Sequence, residues 1–294
     1  MFPCAWIAVF LVFVFAAWLG FGRWDLGFHC IVRGIMRAMK MDYRTKDLII
    51  FDLDGTLTPS KANMDAAIGK ALARLLAVRK VAIVGGGAYA QFRKQVVRHL
   101  HASPALLKNL FLFPTVATSF YRYHRGWHPV YEKSFPLREK KKIQKAIVSA
   151  LATIRAPRPK KTWGPLVDDR HTQITFSALG QKAPLAAKRK WHASSDIRTS
   201  LIVRLKKLLP ECAVHQGGLT SVDVTEKGID KAYGIRQMQK HLHIPVRKML
   251  FIGDDLTGHG NDAPVKKTGV QCVSVKGPDE TRRVIRDILS AGDK

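Results

Sequence analysis

Cysteine is scarce in this chain of 294 residues, and its scarcity argues against two classes of protein. The four cysteines stand alone, and no two of them are spaced as a CxxC pair. A disulfide framework and a cysteine-based zinc site are therefore not expected, and a reducing compartment fits the sequence. The cysteines are Cys4, Cys30, Cys212 and Cys272.

Acidic residues are also few: 22 stand against 49 lysines and arginines, which leaves a formal net charge of +27. Such a chain attracts anions, including nucleic acids, acidic lipid headgroups and phosphorylated metabolites. The basic residues are concentrated at 138–161 and 182–207, without an RNA- or DNA-binding motif or a Gly/Arg-rich tail. We therefore interpret them as a solvated surface and expect no specific nucleic-acid partner. A membrane-tethered protein that binds nucleic acid or anionic lipid is kept as a remote alternative.

Charge of either sign is missing from residues 1–22, which are mostly apolar. A run of this length is long enough to cross a bilayer as a helix, and it lacks the basic n-region of a secretory signal. Basic residues dominate the linker at 23–45, so the positive-inside rule predicts a cytoplasmic main domain anchored to the inner face of the membrane. The alternative is a translation start further along, at Met36, Met39 or Met41.

A pair of acids follows an apolar run near the start of the main domain. Residues 47–51 predict a buried strand, and Asp52, Asp54 and Gly55 follow directly. Alternation along a strand puts both carboxylates on the same side, and the glycine permits a sharp turn. Converging acids at the end of a buried strand need neutralising, and Mg²⁺, which prefers oxygen ligands, is the natural partner.

Three further signals follow along the chain, each beside a predicted strand. The first is a strand that runs into a glycine turn and a helix, an arrangement whose backbone amides favour phosphate. The second is a lysine that opens a helix, and the third is a strand that ends in two acids, followed by a loop with Asn and Asp. Ligands of open α/β sheets bind at such carboxyl ends of strands. The residues are Gly85, Gly86 and Gly87, then Lys231, then Asp254, Asn261 and Asp262.

In this order the four signals resemble motifs I to IV of the haloacid dehalogenase (HAD) superfamily, whose usual members are Mg²⁺-dependent phosphotransferases. The resemblance implies that Asp52 is the nucleophile and Asp54 the general acid and base. It also implies that Lys231 pairs with Asp52 and with the phosphoryl oxygens. Gly85 stands where most members have Ser or Thr, so the Gly85–Gly87 amides would have to bind the phosphate.

The same resemblance implies a magnesium site. Asp52, the backbone carbonyl of Asp54 and Asp254 would bind the ion, while Asn261 and Asp262 would orient ligands or waters nearby. His259 departs from the pattern, since relatives usually have glycine there, and it is either a surface residue or a substrate contact.

The predicted fold is α/β, with a Rossmann-like parallel-sheet HAD core and an inserted α+β cap of the C2B type. The core is expected at 46–125 and 217–294, and the cap at 126–216, where the strand–helix alternation is interrupted. Helices are predicted at 61–79, 89–101, 195–209 and 279–289. Oligomeric state is not predicted.

The cap and the segment after it resemble the sugar-binding residues of eukaryotic-type phosphomannomutases; bacterial sugar-phosphate phosphatases share this subfamily. The resemblance implies a small phosphorylated substrate, a sugar phosphate. Gln181 stands where that family has its second arginine, Lys188 replaces a third, and Gly87 stands where it has Ser. The positions that match are Arg170, Ser177, Gly180, Ser221 and Asp223.

The missing arginine separates two hypotheses. A mutase must hold a phosphosugar in two orientations, and an arginine clamps phosphate with two hydrogen bonds and a permanent charge, whereas Gln181 does not. We therefore favour a Mg²⁺-dependent phosphatase that forms an aspartyl phosphate. The alternative is a phosphomannomutase that interconverts mannose-6-phosphate and mannose-1-phosphate.

Overall fold

The computed structural model describes residues 42–59, 62–195, 197–258 and 260–292. Chain contacts divide the protein into Met1–Tyr43 and Arg44–Lys294, and the fold below is that of the second unit. The predicted membrane anchor at 1–22, nearly all of the linker and His259 lie outside the described residues. Within the described residues, no helix combines the length and apolar character needed to span a bilayer.

A seven-stranded mixed sheet forms the larger layer. Its strands are β1 Leu48–Asp52, β2 Lys80–Val84, β3 Leu110–Phe113, β4 Ser119–Tyr123, β5 Trp127–Glu132, β10 Met249–Gly253 and β11 Gln271–Ser274. In the order β11-β10-β1-β2-β3-β4-β5, the first five strands are parallel to one another, whereas β4 pairs antiparallel with β3 and β5 antiparallel with β4. The parallel part agrees with the prediction of an α/β core.

The central strands are apolar without alternation because both faces of the sheet are covered. All five residues of β1 are buried, and β10 is buried throughout as well. Burial of each large apolar side chain contributes roughly 1.5–3 kcal/mol, so these strands form a rigid base for the residues at their carboxyl ends.

Seven helices lie between the strands of the described residues and an eighth follows the last strand, with short 3₁₀ turns at Tyr43–Thr45, Val97–His99, Val246–Lys248 and Ala263–Thr268. Their bounds are α1 Ala66–Val78, α2 Tyr89–Gln95, α3 Pro104–Leu107, α4 Leu137–Thr153, α5 Leu185–Ser195, α6 Arg198–Leu208, α7 Lys231–Leu242 and α8 Pro278–Gly292. A further turn, Pro114–Ala117, contains consecutive residues with positive φ and is not a regular helix.

A four-stranded antiparallel sheet forms a second layer, which we call the cap sheet, with order β6-β7-β9-β8. Its strands are β6 Val167–Asp169, β7 Gln173–Ser177, β8 Cys212–Gln216 and β9 Ser221–Glu226. Helices α4 and α6 contact it, and Ile143, Leu201 and Leu205 join the strands in one apolar cluster.

Strand membership differs from the predicted cap limits of 126 and 216 at both ends. Strand β5 belongs to the larger sheet, because β4 and β5 form a hairpin whose turn is closed by His124 N–H donating to Gly126 O at 2.7 Å. Strand β9, predicted to lie in the core, belongs to the cap sheet, where Ser221 pairs with Ser177.

Three predicted helices have different limits in the structure. The first begins at Ala66 rather than 61, because Asp65 caps it by accepting from Ile68 N–H at 2.8 Å. The second ends at Gln95, and a 3₁₀ turn follows it. The helix predicted at 195–209 begins at Arg198, and residues 185–195 form a separate helix.

Candidate active site

The two acids that follow the first apolar run have different surroundings in the structure. Strand β1 stops at Asp52, and the chain then turns through Gly55, whose φ is +94° and whose N–H donates to Thr58 O at 2.7 Å. The regular alternation expected of a strand therefore does not extend to Asp54. Asp52 and Asp54 have different neighbours.

Asp52 belongs to a group of three carboxylates at the carboxyl ends of β1 and β10. One oxygen each from Asp52, Asp254 and Asp262 lie within 4.8 Å of one another. Asp52 and Asp262 are buried, while Asp254 is exposed. Asp54 is not a member of this group.

Lys231 is the cation beside the three carboxylates. It is the first residue of α7, a helix start fixed by Asp230, whose side chain accepts from Tyr233 N–H at 2.8 Å. Its Nζ donates to Asp52 Oδ1 at 2.5 Å, to Asn261 Oδ1 at 2.6 Å and to Asp262 Oδ1. We call Asp52, Asp254, Asp262 and Lys231 the core site.

The core site carries more negative than positive charge. Burial raises the pKa of Asp52 to about 7. The charge of Lys231 lowers this pKa, whereas the charges of Asp262 and Asp254 raise it further. Burial opposes the charge on Lys231, but Asp52 and Asp262 outweigh it and raise the pKa of the lysine above its usual value. The pKa of Asp254 is raised too, first because its carboxylate is partly shielded from solvent although the residue is exposed, and then by the charge of Asp262. One lysine therefore does not neutralise three carboxylates.

A divalent cation fits this donor set. The oxygens of Asp52, Asp254 and Asp262 are the hard ligands that Mg²⁺ prefers, and an ion among them would relieve their mutual repulsion. Thr56 Oγ1 donates to Asp254 Oδ1 at 3.0 Å and so holds that carboxylate in place. Asn261, predicted to support the ion, is in contact with Lys231.

Asp54 is held by two glutamines of α2. Gln91 Nε2 donates to its Oδ2 at 3.0 Å, and Gln95 Nε2 donates to its Oδ1 at 3.1 Å. Gln95 also donates to Ala62 O at 2.8 Å. Each oxygen of the Asp54 carboxyl group therefore accepts from an amide of α2.

The glycine turn follows β2 at the same edge of the sheet. The Gly85 amide donates to Phe113 O at 3.4 Å, so it is less available to a phosphate than predicted. The amides of Gly86 and Gly87 have no acceptor among the residues that the structure describes.

The strained turn Pro114–Ala117 holds the glycine turn through two backbone hydrogen bonds. Thr115 N–H donates to Gly87 O and Val116 N–H to Gly85 O, each at 2.9 Å. Thr115, Val116 and Ala117 have φ values of 47°, 55° and 62°, a conformation that costs roughly 1–3 kcal/mol for each such residue. Strain of this kind is typical of functional sites.

Arg170 joins the cap sheet to the glycine turn. It lies in the loop between β6 and β7, and its Nε donates to Asp168 Oδ2 at 2.8 Å. Its two other nitrogens donate to Gly86 O at 3.2 Å and to Gln181 Oε1 at 3.0 Å. The guanidinium therefore lies directly beside the turn that follows β2.

Gln181 links Arg170 to the cap strands. Its Nε2 donates to Ser177 Oγ at 2.8 Å, and the hydroxyls of Ser177 and Ser221 are 2.8 Å apart. Lys188 Nζ donates to Gln181 O at 3.2 Å. We call Arg170, Ser177, Gln181, Lys188 and Ser221 the cap site. Asp223, the remaining predicted residue, accepts from Thr175 Oγ1 at 2.7 Å.

Sequence reasoning missed Thr56, Gln91 and Gln95. A signal for the glutamines was present, because residues four apart on a helix lie on one face, and this helix follows the glycine turn. Thr56 stands in the motif after Asp54, but the pattern does not indicate that its hydroxyl turns to Asp254, 198 residues away.

Comparison with known proteins identifies the family. The family model of eukaryotic phosphomannomutase matches residues 68–291. The phosphomannomutase of Encephalitozoon cuniculi is 27% identical over 253 residues, covering 83% of this chain and 94% of that protein. The phosphomannomutase of Saccharomyces cerevisiae is 25% identical over 265 residues, covering 87% and 100%.

Among solved structures, an N-terminally truncated Plasmodium falciparum IMP-nucleotidase is similar, with a TM-score of 0.62 and 19% identity. The matched region covers 83% of this chain and 70% of the nucleotidase chain. At this identity the likeness concerns the fold alone. The named relatives fit the mutase alternative better than the phosphatase that the sequence favoured. The chain is an enzyme of the HAD superfamily and belongs to the eukaryotic phosphomannomutase family.

Proposed function

We propose that this enzyme is a Mg²⁺-dependent phosphomannomutase that moves a phosphoryl group between two hydroxyls of a hexose by way of Asp52. The observation that carries the proposal is the core site, where a buried aspartate contacts a buried lysine and shares its surroundings with two further carboxylates. Such a site suits phosphoryl transfer, which depends on positioning and charge neutralisation. The match to the family model supports the choice of substrate class.

The first transfer forms the enzyme intermediate. An oxygen of Asp52 attacks the phosphorus of a hexose bisphosphate, the phosphorus–ester bond breaks, and the carboxyl of Asp54 gives its proton to the leaving oxygen. Lys231 stays beside Asp52 and balances negative charge on the phosphoryl oxygens. Mg²⁺, held by Asp52, Asp254 and Asp262, would supply the second positive charge.

The second transfer regenerates the enzyme. A hydroxyl of a hexose monophosphate gives its proton to the Asp54 carboxylate, its oxygen bonds to phosphorus, and the bond to Asp52 breaks. The cap site would hold the other phosphate through Arg170 and Lys188 while the sugar hydroxyls face Ser177 and Ser221. The amides of Gly86 and Gly87 would bind the phosphoryl group from the opposite side.

The test is the fate of mannose-1-phosphate incubated with Mg²⁺ and a catalytic amount of mannose bisphosphate. We expect mannose-6-phosphate to form without an equal release of free phosphate. Asp52→Asn should abolish conversion. Asp47→Asn, the same change at the exposed residue just before β1, is the matched control and should leave conversion intact.

Hydrolysis is the second candidate, and Gln181 is the observation that favours it. A neutral amide replaces a charged clamp beside Arg170, so a bisphosphate would be held less firmly between transfers. Water would then release the phosphoryl group from Asp52, with Asp54 as the base. Free phosphate without mannose-6-phosphate in the same assay would overturn the mutase proposal in favour of this one.

A further inference from the structure

Two glutamines of α2 bind the carboxyl group of Asp54. Gln91 and Gln95, one helical turn apart, each donate an amide hydrogen bond to a different oxygen of that carboxylate. Two donors on two oxygens fix both the position of the carboxyl group and the rotation of its plane. Gln95 is 1% exposed and also tied to Ala62 O, whereas Gln91 is half-buried at the edge of the site.

Gly87 leaves the space that the Gln91 side chain occupies. A Cβ added at Gly87 would lie 2.3 Å from Gln91 Oε1 and 2.5 Å from its Cδ, far inside van der Waals contact. The backbone at Gly87 does not have the positive φ that only glycine adopts readily. A side chain at 87 is therefore compatible with the turn but not with the observed place of the Gln91 amide.

We propose that Gln91 is a positioning residue for proton transfer by Asp54, and that the absence of a side chain at Gly87 admits it to that place. This inference rests on the proposed role of Asp54 as the general acid. Gln91 does not touch the reacting atoms; it acts by holding the carboxyl group at the angle from which the leaving oxygen is protonated. Correct geometry is the first requirement of general acid catalysis.

The test compares two aryl phosphates that differ only in how much the leaving group needs a proton. The phenol released from phenyl phosphate has a pKa of about 10, like that of tyrosine, so its phenolate is a strong base that leaves poorly without a proton. p-Nitrophenolate is a weaker base and leaves more readily without one. The quantity is kcat/KM, since it reports the step in which Asp52 takes the phosphoryl group. Neither ester depends on the identity of the sugar.

We expect Gln91→Met, which keeps the length but lacks a donor, to lower kcat/KM for phenyl phosphate about tenfold. The value for p-nitrophenyl phosphate should fall less than about twofold. Gly87→Ala should give the same pattern, because it displaces the Gln91 amide. The double variant should be no worse than either single variant, since both changes remove one interaction.

Lys94→Ala, on the exposed face of the same helix, is the matched control and should change neither substrate. Equal losses on both esters in Gln91→Met and Gly87→Ala would overturn the proposal, because they would indicate phosphate binding or a general structural defect. Losses that multiply in the double variant would overturn it as well. Failure of the proposed function is distinguishable, since it would appear as free phosphate without mannose-6-phosphate in the mannose-1-phosphate assay, or as turnover retained in Asp52→Asn.

Discussion

The core site and the cap site differ in how their charges are balanced. In the core site, one lysine contacts two of three clustered carboxylates, Asp262 is fully buried, and the excess charge is negative. In the cap site, Arg170 and Lys188 are linked through neutral amide and hydroxyl groups, with Asp168 as the acid bound to the arginine. The first arrangement attracts cations and the second attracts anions.

This difference explains why substitutions are more costly in the core site than in the cap site. Removal of Lys231 leaves the buried carboxylates of Asp52 and Asp262 without their cation, which costs several kcal/mol. Exchange of a neutral side chain in the cap site changes one or two hydrogen bonds, each worth about 0.5–1.5 kcal/mol. The reaction type therefore depends on core-site residues that are costly to exchange, whereas substrate preference can change through substitutions in the cap site.

Lys231→Met should produce the largest effect, because it leaves Asp52 and Asp262 without their cation. In the presence of a chelator, we expect the free energy of unfolding to fall by about 3–5 kcal/mol, measured by urea denaturation. Mg²⁺ should restore more stability to this variant than to the unchanged protein. Lys248→Met, at a half-buried lysine 3.7 Å from the exposed Asp47, is the control and should lose less than about 1 kcal/mol. A Lys231 variant as stable as its control would contradict the charge balance described for the core site.

Thr56→Val should have an intermediate effect, since the valine keeps the shape of the side chain but cannot donate to Asp254. Groups that orient metal ligands commonly contribute 10- to 100-fold in metal affinity, and we expect about a tenfold rise in the Mg²⁺ concentration that gives half-maximal turnover. A Mg²⁺ titration of p-nitrophenyl phosphate turnover measures it. Thr153→Val, on α4 of the cap, serves as the control, and an unchanged titration for Thr56→Val would argue against Asp254 as a ligand.

Gln181→Arg should have the smallest effect and would make the cap site more like that of a mutase. An additional charged donor should hold the bisphosphate longer and raise the ratio of mannose-6-phosphate to free phosphate roughly threefold to tenfold, equivalent to about 1 kcal/mol. Gln144→Arg adds the same charge to an exposed position on α4 and should leave the ratio unchanged. If both variants change the ratio equally, the effect belongs to net charge and not to the cap site.

Sequence patterns predicted the core site better than the cap. Strands such as Leu48–Asp52 are apolar up to the acid that ends them, so a local pattern indicates both the strand and the place of its carboxylate. The strand Ser221–Glu226 was placed in the wrong sheet because its residues suit either one. Its membership depends on pairing with Gln173–Ser177, more than 40 residues earlier.

Side-chain partners across the site were the least predictable. The motif indicated two acids on one side of a strand, but the strand ends at Asp52 and the Asp54 carboxyl group turns to the glutamines of α2. That outcome depends on the space left at Gly87 and on where the chain turns at Gly55, which only the packed structure specifies.

Detection of the phosphoryl group on Asp52 tests the central claim most directly. The enzyme would be mixed with mannose bisphosphate and Mg²⁺, quenched in acid within milliseconds, and its peptides examined by mass spectrometry. We predict one phosphoryl group on the peptide that contains Asp52, removable by hydroxylamine as an acyl phosphate should be, and absent from Asp52→Asn but present in Asp47→Asn. A phosphoryl group on another residue, or full turnover by Asp52→Asn, would contradict the account.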